Sequence, residues 1–252
     1  MPLRSLGTSM VPQRSKLPYV VLGVIALAIV WGLVATGVWN DILKYRKDIV
    51  YLTKQHLVLV SVSGSAAIVT GVLMGIWLSR PWMSRYAEAT IQVVNMATAI
   101  PTLGKLALMM TILGIGALPA IVGLWVATLL PIIRNTYVGL KGVPAPLVDA
   151  ARGMGMSPGA ILRRVEMPNG LFVIFAGVRT AMAINVGTAP IAFLIGGGGL
   201  GELIFTGIDL QEFGMMLAGA IPTALLAVLV DFLFGQAQYW LVPRGVNPLR
   251  NS

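Results

Sequence analysis

Long runs of uncharged, mostly apolar residues are the feature that most constrains what this chain can fold into. Residues 18–39 and 57–79 contain no charged side chain over 22 and 23 positions. A helix of that length extends about 33 Å, and the hydrocarbon core of a bilayer is about 30 Å thick. Since a water-soluble fold cannot bury so much apolar surface, the two runs predict helices that span a membrane.

Four further runs bring the prediction to six transmembrane helices in an all-α membrane protein. They are residues 89–104, 118–133, 170–195 and 213–241, of which the last two each carry one charged side chain. Residues 106–116 are too short to span alone, so we interpret them as a continuation of the third helix or as a re-entrant segment. The composition agrees, because 11% of the residues are charged, whereas soluble domains have about a quarter.

The distribution of basic residues predicts the side of the membrane on which each loop lies. Residues 134–169 carry five Lys or Arg, whereas residues 196–212 carry three acidic residues and no basic one. We therefore predict that the former loop and both chain ends are cytoplasmic. The segment 40–56 disagrees, since this topology places it outside although it is basic: it contains Lys44, Arg46, Lys47 and Lys54.

These assignments divide the chain into four parts. A cytoplasmic tail (residues 1–17) precedes a first helix with its extracytoplasmic loop (18–56), a membrane core (57–243) and a second cytoplasmic tail (244–252). Cytoplasmic loops that face anionic lipid headgroups account for most of the net charge of +9, so we predict membrane lipids, and no nucleic acid, as the partner of that charge.

Several functions are excluded or disfavoured by what the chain lacks. It contains no cysteine and no G-x-x-x-x-G-K-[ST] sequence, which excludes thiol chemistry and a P-loop ATPase site within this chain. No catalytic residues, metal ligands or bound cofactor are predicted, and the one histidine, His56, is interpreted as an interfacial residue. The G-x-G-x-x-G pattern in residues 196–201 lacks a preceding strand, so we interpret it as a glycine-rich turn with positive φ angles.

A few polar residues lie within the predicted spans, where they are costly and therefore informative. We predict that Asn185 and Thr188 face a translocation pathway. Arg179 and Asp231 are candidates for an intramembrane pair, for which a structural tether and a transport role are equally open. Gly71 and Gly75 form a G-x-x-x-G pattern, which favours close helix packing over lining of the pathway.

The segment 148–168 stands out because it combines charged residues with helix-ending signals. Residues 145–153 predict a short helix that ends at Gly153 and Gly155, and we expect Gly155 to have a positive φ angle. Ser157 and Pro158 predict the N-cap and first residue of a second short helix, which we expect Pro168 to end. Two ordered helices around a glycine corner suit docking into another protein's groove. A DNA-binding helix-turn-helix and a plain connector are the alternatives.

The spacing in this segment resembles the EAA motif of the permeases of ABC importers. That pattern is E-A-A-x3-G-x9-I-x-L-P, and this chain departs from it only by Asp for Glu, Val for Ile and Met for Leu. The resemblance implies that residues 138–169 form a coupling loop that docks onto an ATPase subunit, with Ala150, Ala151 and Gly155 at the docking corner. The matching positions are Asp149, Ala150, Ala151, Gly155, Val165, Met167 and Pro168.

Residues 99–140 and 195–208 resemble the permeases of osmoprotectant importers, those for glycine betaine, carnitine or choline. The likeness covers residues 57–243 and implies a type I importer core of five helices (MetI-like) plus one N-terminal helix. It also implies a bacterial or archaeal cytoplasmic membrane. The implied partners are two ATPase subunits that bind ATP, a substrate-binding protein, and a second permease copy, identical or related.

Two other classes of membrane protein remain as alternatives. A secondary transporter or channel driven by an ion gradient would show inverted repeats and charges at broken helices, and no such repeat is visible. A membrane enzyme would need paired carboxylates or a nucleophile motif on one face of the membrane. An importer permease without catalytic activity of its own is the favoured hypothesis.

Overall fold

The computed structural model describes residues 24, 31, 32, 35 and 37–250, and the regular elements within them are all helical. Four helices are long and apolar enough to cross a membrane, or five if one sharply bent pair counts as a single span. The all-α membrane class is thereby confirmed. The predicted tail at residues 1–17 and 15 of the 22 residues of the first predicted span, 18–39, lie outside the described residues.

Ten α-helices follow one another along the described chain. They are α1 (Val38–Lys44), α2 (Arg46–Ser79), α3 (Ser84–Ala99), α4 (Thr102–Leu113), α5 (Ala117–Lys141), α6 (Ala145–Gly153), α7 (Pro158–Ile161), α8 (Met167–Thr188), α9 (Gly201–Asp209) and α10 (Phe213–Leu241). A π-helical turn, Leu162–Glu166, joins α7 to α8, and short 3₁₀ turns occupy Pro81–Met83, Ala189–Ile195, Arg244–Val246 and Pro248–Arg250.

Four predicted spans correspond to the long helices α2, α5, α8 and α10. The bounds of α10 are those of the predicted sixth span, residues 213–241. By contrast, α2 begins 11 residues before the predicted start and α5 ends eight residues after the predicted end. Uncharged runs mark the part of a helix that lies in hydrocarbon, and these helices continue beyond it into the polar region.

The third predicted span, 89–104, is not a single straight helix. The axes of α3 and α4 differ by 92° at a break between Ala99 and Thr102. Pro101 has no backbone N–H to donate, and it favours the extended conformation that Ile100 adopts, with ψ of 130°. Residues 106–116 therefore do not continue the third helix in a straight line, since most of them belong to the separate helix α4.

The basic segment 40–56 is helical, which corrects its assignment as a loop. It comprises most of α1 and the first turns of α2, and it lies beside the acidic segment between α9 and α10. The Tyr45 hydroxyl donates a hydrogen bond to Glu212, and this bond raises the pKa of the Tyr45 phenol above its usual value. Lys44 Nζ lies 3.8 Å from the same carboxylate. The two segments thus occupy the same end of the bundle.

The core of the bundle is α5, which packs between α2 and α8. Glycines set both contacts: a Cβ on Gly75 of α2 would lie 2.4 Å from Thr136 Cβ of α5. A Cβ on Gly170 of α8 would lie 2.9 Å from the carbonyl oxygen of Gly139 of α5. Small residues let membrane helices approach closely enough for dispersion contacts to hold them together. Gly71 and Gly75 therefore serve helix packing, as their sequence pattern predicts.

We expect Gly75→Ala to destabilise the protein and Gly187→Ala to leave its stability unchanged or raise it. The added methyl at Gly75 overlaps Thr136, and overpacking of this kind costs about 1–3 kcal/mol. Gly187 of α8 has nothing within 4 Å of a built Cβ, so alanine there adds only helix propensity. Thermal unfolding of the two purified variants in detergent measures the difference, and equal midpoints would contradict this account of the core.

Candidate functional site

The coupling loop is an ordered pair of short helices with a glycine corner between them. The first helix, α6, has the predicted bounds Ala145–Gly153. Gly155 follows with φ of 78°, in the left-handed region that favours glycine, as predicted. Ser157 then caps the second helix, because its Oγ accepts a hydrogen bond from the Ala160 N–H at 3.3 Å, and Pro158 is the first helical residue.

Pro168 does not end the second helix, which corrects the sequence prediction. The chain passes from α7 through the π-helical turn Leu162–Glu166 directly into α8. A π turn inserts one extra residue into the helix, and this wider turn accommodates a proline that cannot donate a backbone hydrogen bond. The Asn169 side chain donates to the Val165 carbonyl at 2.7 Å, across the proline. The second helix of the coupling loop is therefore continuous with α8, a helix long and apolar enough to cross a membrane.

The motif residues of α6 face in two directions. Ala150 is exposed, whereas Ala151 is 2% exposed and packs inside the loop, so Ala151 cannot be part of a docking surface as predicted. The outward face carries large apolar side chains instead: Leu147 is 47% and Met154 is 74% exposed. Residues 147, 150 and 154 have the i, i+3, i+7 spacing of one helix face, a signal that was present in the sequence. We call Leu147, Ala150 and Met154, which directly follows α6 as its C-cap residue, the apolar face of α6.

Asp149, the acid of the motif, lies on a different side of α6. Its carboxylate forms an ion pair with Arg152 at 3.2 Å, and both side chains are about two-thirds exposed. An exposed pair of this type contributes at most about 1 kcal/mol. Val165 and Met167 are half-buried where the coupling loop joins α8.

An ion pair that the sequence did not suggest joins the coupling loop to the end of α2. Arg80 Nη2 lies 2.6 Å from Glu166 Oε2, and the side chains are only 18% and 16% exposed. Arg80 is itself held by the Ser79 hydroxyl at 2.8 Å and by the Ile76 carbonyl at 3.2 Å. Glu166 is the last residue of the π-helical turn. The pair therefore connects the end of α2 to the point where the coupling loop becomes α8.

Asn185 joins the same two helices farther along the bundle. Its side chain is fully buried, with Nδ2 2.9 Å from Ser63 Oγ and 3.4 Å from the Val60 carbonyl, both on α2. In this conformation the Asn185 amide is an interhelical contact and does not face a pathway, contrary to the prediction. Thr188 is half-buried and bonds back to the Ile184 carbonyl at 2.8 Å, so its assignment to the pathway stays a prediction.

Arg179 of α8 and Asp231 of α10 are brought together as a bidentate pair. The distances are 2.5 Å for Nε to Oδ1 and 2.6 Å for Nη2 to Oδ2. A planar guanidinium that meets both carboxylate oxygens gives a geometrically specific contact. The pair joins the last spanning helix, α10, to the helix that follows the coupling loop.

The glycine-rich turn at residues 196–199 packs over the first half of α2. Gly196, Gly198 and Gly199 have positive φ, as predicted, and the Gly199 N–H donates to Gln55 Oε1 at 3.0 Å. His56 lies beneath this turn and is fully buried, so its interpretation as an interfacial residue is wrong. Within residues 37–250, no cluster of three His, Asp or Glu side chains could hold a metal ion.

Comparisons with known proteins agree with this architecture. Residues 67–245 match the family described as binding-protein-dependent transport system inner membrane component. The osmoprotectant import permease protein OsmY of Salmonella typhimurium strain LT2 is 48% identical over 210 residues, which cover 83% of this chain and 89% of that protein. The glycine betaine/carnitine/choline transport system permease protein OpuCB of Bacillus subtilis strain 168 is 36% identical over 81% of this chain and 93% of that protein.

A solved structure has the same fold. The MetNI methionine ABC transporter in an inward-facing conformation superposes with a TM-score of 0.68 at 25% identity, over 79% of this chain and 95% of that chain. The resemblance inferred from the coupling-loop motif is thus confirmed. The family match covers well over half of the sequence, and the chain belongs to the family of inner membrane components of binding-protein-dependent transport systems.

Proposed function

We propose that this chain is the transmembrane permease subunit of an ATP-driven ABC importer for osmoprotectants of the glycine betaine, choline and carnitine type. The observation that carries the proposal is the ordered coupling loop, which exposes the apolar face of α6 on a segment outside the candidate spans. An exposed apolar patch of this kind marks a protein contact. The substrate class is supported by the names of relatives that are 36% to 48% identical.

The energy for transport comes from ATP hydrolysis by a partner protein. Because the sequence contains no P-loop, ATP binds to separate ATPase subunits. We expect this chain itself to bind no cofactor. The relatives named as permeases favour this reading over an ion-gradient-driven transporter or channel. The chain acts with a second permease copy, identical or related, and with a substrate-binding protein. The tails at 1–17 and 244–252 and the coupling loop are cytoplasmic, in a multi-pass protein of a bacterial or archaeal inner membrane.

The geometry suggests how movement of the ATPase reaches the membrane helices. The apolar face of α6 docks onto the ATPase, and the π-helical turn carries its displacement into α8 without a flexible joint. The Arg80–Glu166 pair passes the same displacement to α2. Asn185 lies 19 residues beyond Glu166, about 28 Å along a helix, and its contact with Ser63 is a second connection between α8 and α2. With two separated connections, α2 and α8 move as one body.

The proposed topology predicts opposite labelling of two cysteine variants in whole cells. Ala160→Cys in the coupling loop should resist a membrane-impermeant thiol reagent. Leu210→Cys, at the exposed residue that directly follows α9, should react with it. The chain contains no other cysteine that could be labelled. The reverse pattern would overturn the orientation.

If the apolar face of α6 docks onto the ATPase, two substitutions of Met154 should differ strongly in the amount of ATPase that co-purifies. Met154→Glu should lower the amount of ATPase that co-purifies by about tenfold or more, since burial of a Met side chain contributes about 1.5–3 kcal/mol. Met154→Leu preserves the apolar contact and should retain the ATPase. Both variants should reach the membrane at wild-type levels. Full ATPase binding by Met154→Glu would contradict docking through this face.

Removal of the Arg80–Glu166 pair should uncouple osmoprotectant uptake from ATP hydrolysis. It should not prevent assembly of this chain with the ATPase. Arg80→Ala and Glu166→Ala should each lower osmoprotectant uptake per ATP hydrolysed several-fold while the ATPase still co-purifies. The double variant should be no worse than either single one, because each substitution already removes the same connection. Uptake and ATP hydrolysis measured side by side in proteoliposomes check this. Additive losses would show that the residues act separately.

A further inference from the structure

Lys105, in the first turn of α4, is a basic residue with almost no exposed surface. It is 6% exposed, although α3 and α4 together form a candidate membrane span. None of the ion pairs among the described residues includes Lys105. A buried charge is costly unless the structure supplies a partner for it, so a lysine at this position in an apolar segment requires an explanation.

The partner of Lys105 is the end of the preceding helix. Lys105 Nζ donates a hydrogen bond to the Thr98 carbonyl oxygen at 3.2 Å, back across the break between α3 and α4. Thr98 lies in the last turn of α3, where the carbonyl oxygens lack helical N–H donors and carry a partial negative charge. Pro101 adds to this shortage, because it has no N–H to donate. The Lys105 ammonium therefore caps the C-terminal end of α3 from within α4.

This contact is the one hydrogen bond that joins α3 to α4 in the described part of the chain. No backbone hydrogen bond between described residues crosses the break between Ala99 and Thr102. A different angle between the helices would carry Thr98 away from Lys105 and leave the ammonium without an acceptor in apolar surroundings. Because an uncompensated buried charge is strongly unfavourable, the lysine disfavours angles other than the observed 92°.

The rest of α4 is fixed against the bundle. Leu106 packs against Gly123 of α5, where a built Cβ would lie 2.6 Å from Leu106 Cδ2. Beyond the end of α4, the Gly116 N–H donates to the Ile195 carbonyl oxygen at 2.9 Å, directly before the glycine-rich turn at residues 196–199. The helix α4 thus extends from the end of α3 to the turn that packs over the first half of α2.

The other end of α3 adjoins the ion pair of the coupling loop. Arg80, which binds Glu166, leads through the turn Pro81–Met83 directly into α3. Together α3 and α4 therefore run from the Arg80–Glu166 pair at one end of α2 to the glycine-rich turn near the other. If the two helices keep their angle, a displacement of Arg80 reaches that turn, whereas a flexible break would absorb it.

We propose that Lys105 is a positioning residue that holds α3 and α4 as one bent unit and so connects the Arg80–Glu166 pair to the glycine-rich turn at the opposite end of the bundle. Lys105 acts through its charged N–H donors. Arginine supplies such donors, whereas methionine has a side chain of similar length but cannot cap α3. The effect on uptake rests on the proposed importer function, and the fixed angle between the helices does not.

Double electron–electron resonance measures the angle directly, because the chain contains no cysteine that would compete for the spin labels. Val93→Cys in α3 and Ile112→Cys in α4 are suitable label sites, since these positions are 65% and 73% exposed. In the complex with its ATPase, this parent should give one narrow distance distribution. Lys105→Met should shift or broaden the distribution, and Lys105→Arg should leave it narrow. Lys105→Leu is a second apolar variant in case Lys105→Met does not fold.

Thermal unfolding separates this positioning role from a general contribution to stability. The midpoint of Lys105→Met should stay close to that of the parent, because the lost hydrogen bond is offset by removal of a buried charge. A distance distribution identical to that of the parent would overturn the proposal. Equal changes in Lys105→Met and Lys105→Arg would also overturn it, since side-chain shape would then set the angle, as would a large fall in the midpoint of Lys105→Met.

Uptake in proteoliposomes tests the connection to transport. Lys105→Met should lower osmoprotectant uptake per ATP hydrolysed several-fold while the ATPase still co-purifies, and Lys105→Arg should retain uptake. An altered distance with unchanged uptake would contradict the connection between the Arg80–Glu166 pair and the glycine-rich turn. Absence of ATP-driven uptake in the parent, before spin labelling, would instead contradict the proposed function.

Discussion

The close approach of α5 to its two neighbours is the constraint on which the rest of the structure depends. A membrane interior gives no hydrophobic driving force for association between helices, so the contacts rely on small residues that let the backbones meet. Gly75 of α2 leaves room for Thr136 on one side of α5. On the other side, Gly139 of α5 packs against Gly170 of α8. Only with α2, α5 and α8 so placed do the polar contacts between α2 and α8 form. The close packing of α5 against α2 and α8 therefore makes the polar contacts between α2 and α8 possible.

The coupling loop is continuous with the membrane helices and is not a separate module. It runs into α8 through a π-helical turn, and Glu166 at the end of that turn reaches Arg80 on α2. The bidentate pair of Arg179 and Asp231 then connects α8 to α10. A displacement at the apolar face of α6 therefore has a continuous path through helices and charged contacts to most of the bundle, and each contact can be removed singly.

Local signals in the sequence predicted the local features well. The bounds of α6, the cap at Ser157 and the left-handed backbone of Gly155 each depend on a few adjacent residues. The positions that failed depend on neighbours distant in the sequence. Asn185 is buried against Ser63 of α2, which is 122 residues away in the sequence. Ala151 is 2% exposed, and its immediate sequence neighbours do not reveal this burial. The helical start of α2 was missed because its Lys and Arg residues suggested a loop, although charge does not prevent a helix from continuing beyond the hydrocarbon.

The central claim is that this permease moves osmoprotectants with energy delivered by ATP through the coupling loop. The most direct test is uptake of radiolabelled glycine betaine into proteoliposomes that contain this chain, its ATPase and its binding protein. The account predicts uptake that requires hydrolysable ATP on the ATPase side and that persists when ionophores collapse all ion gradients. Uptake that proceeds without ATP and stops with the ionophores would contradict it.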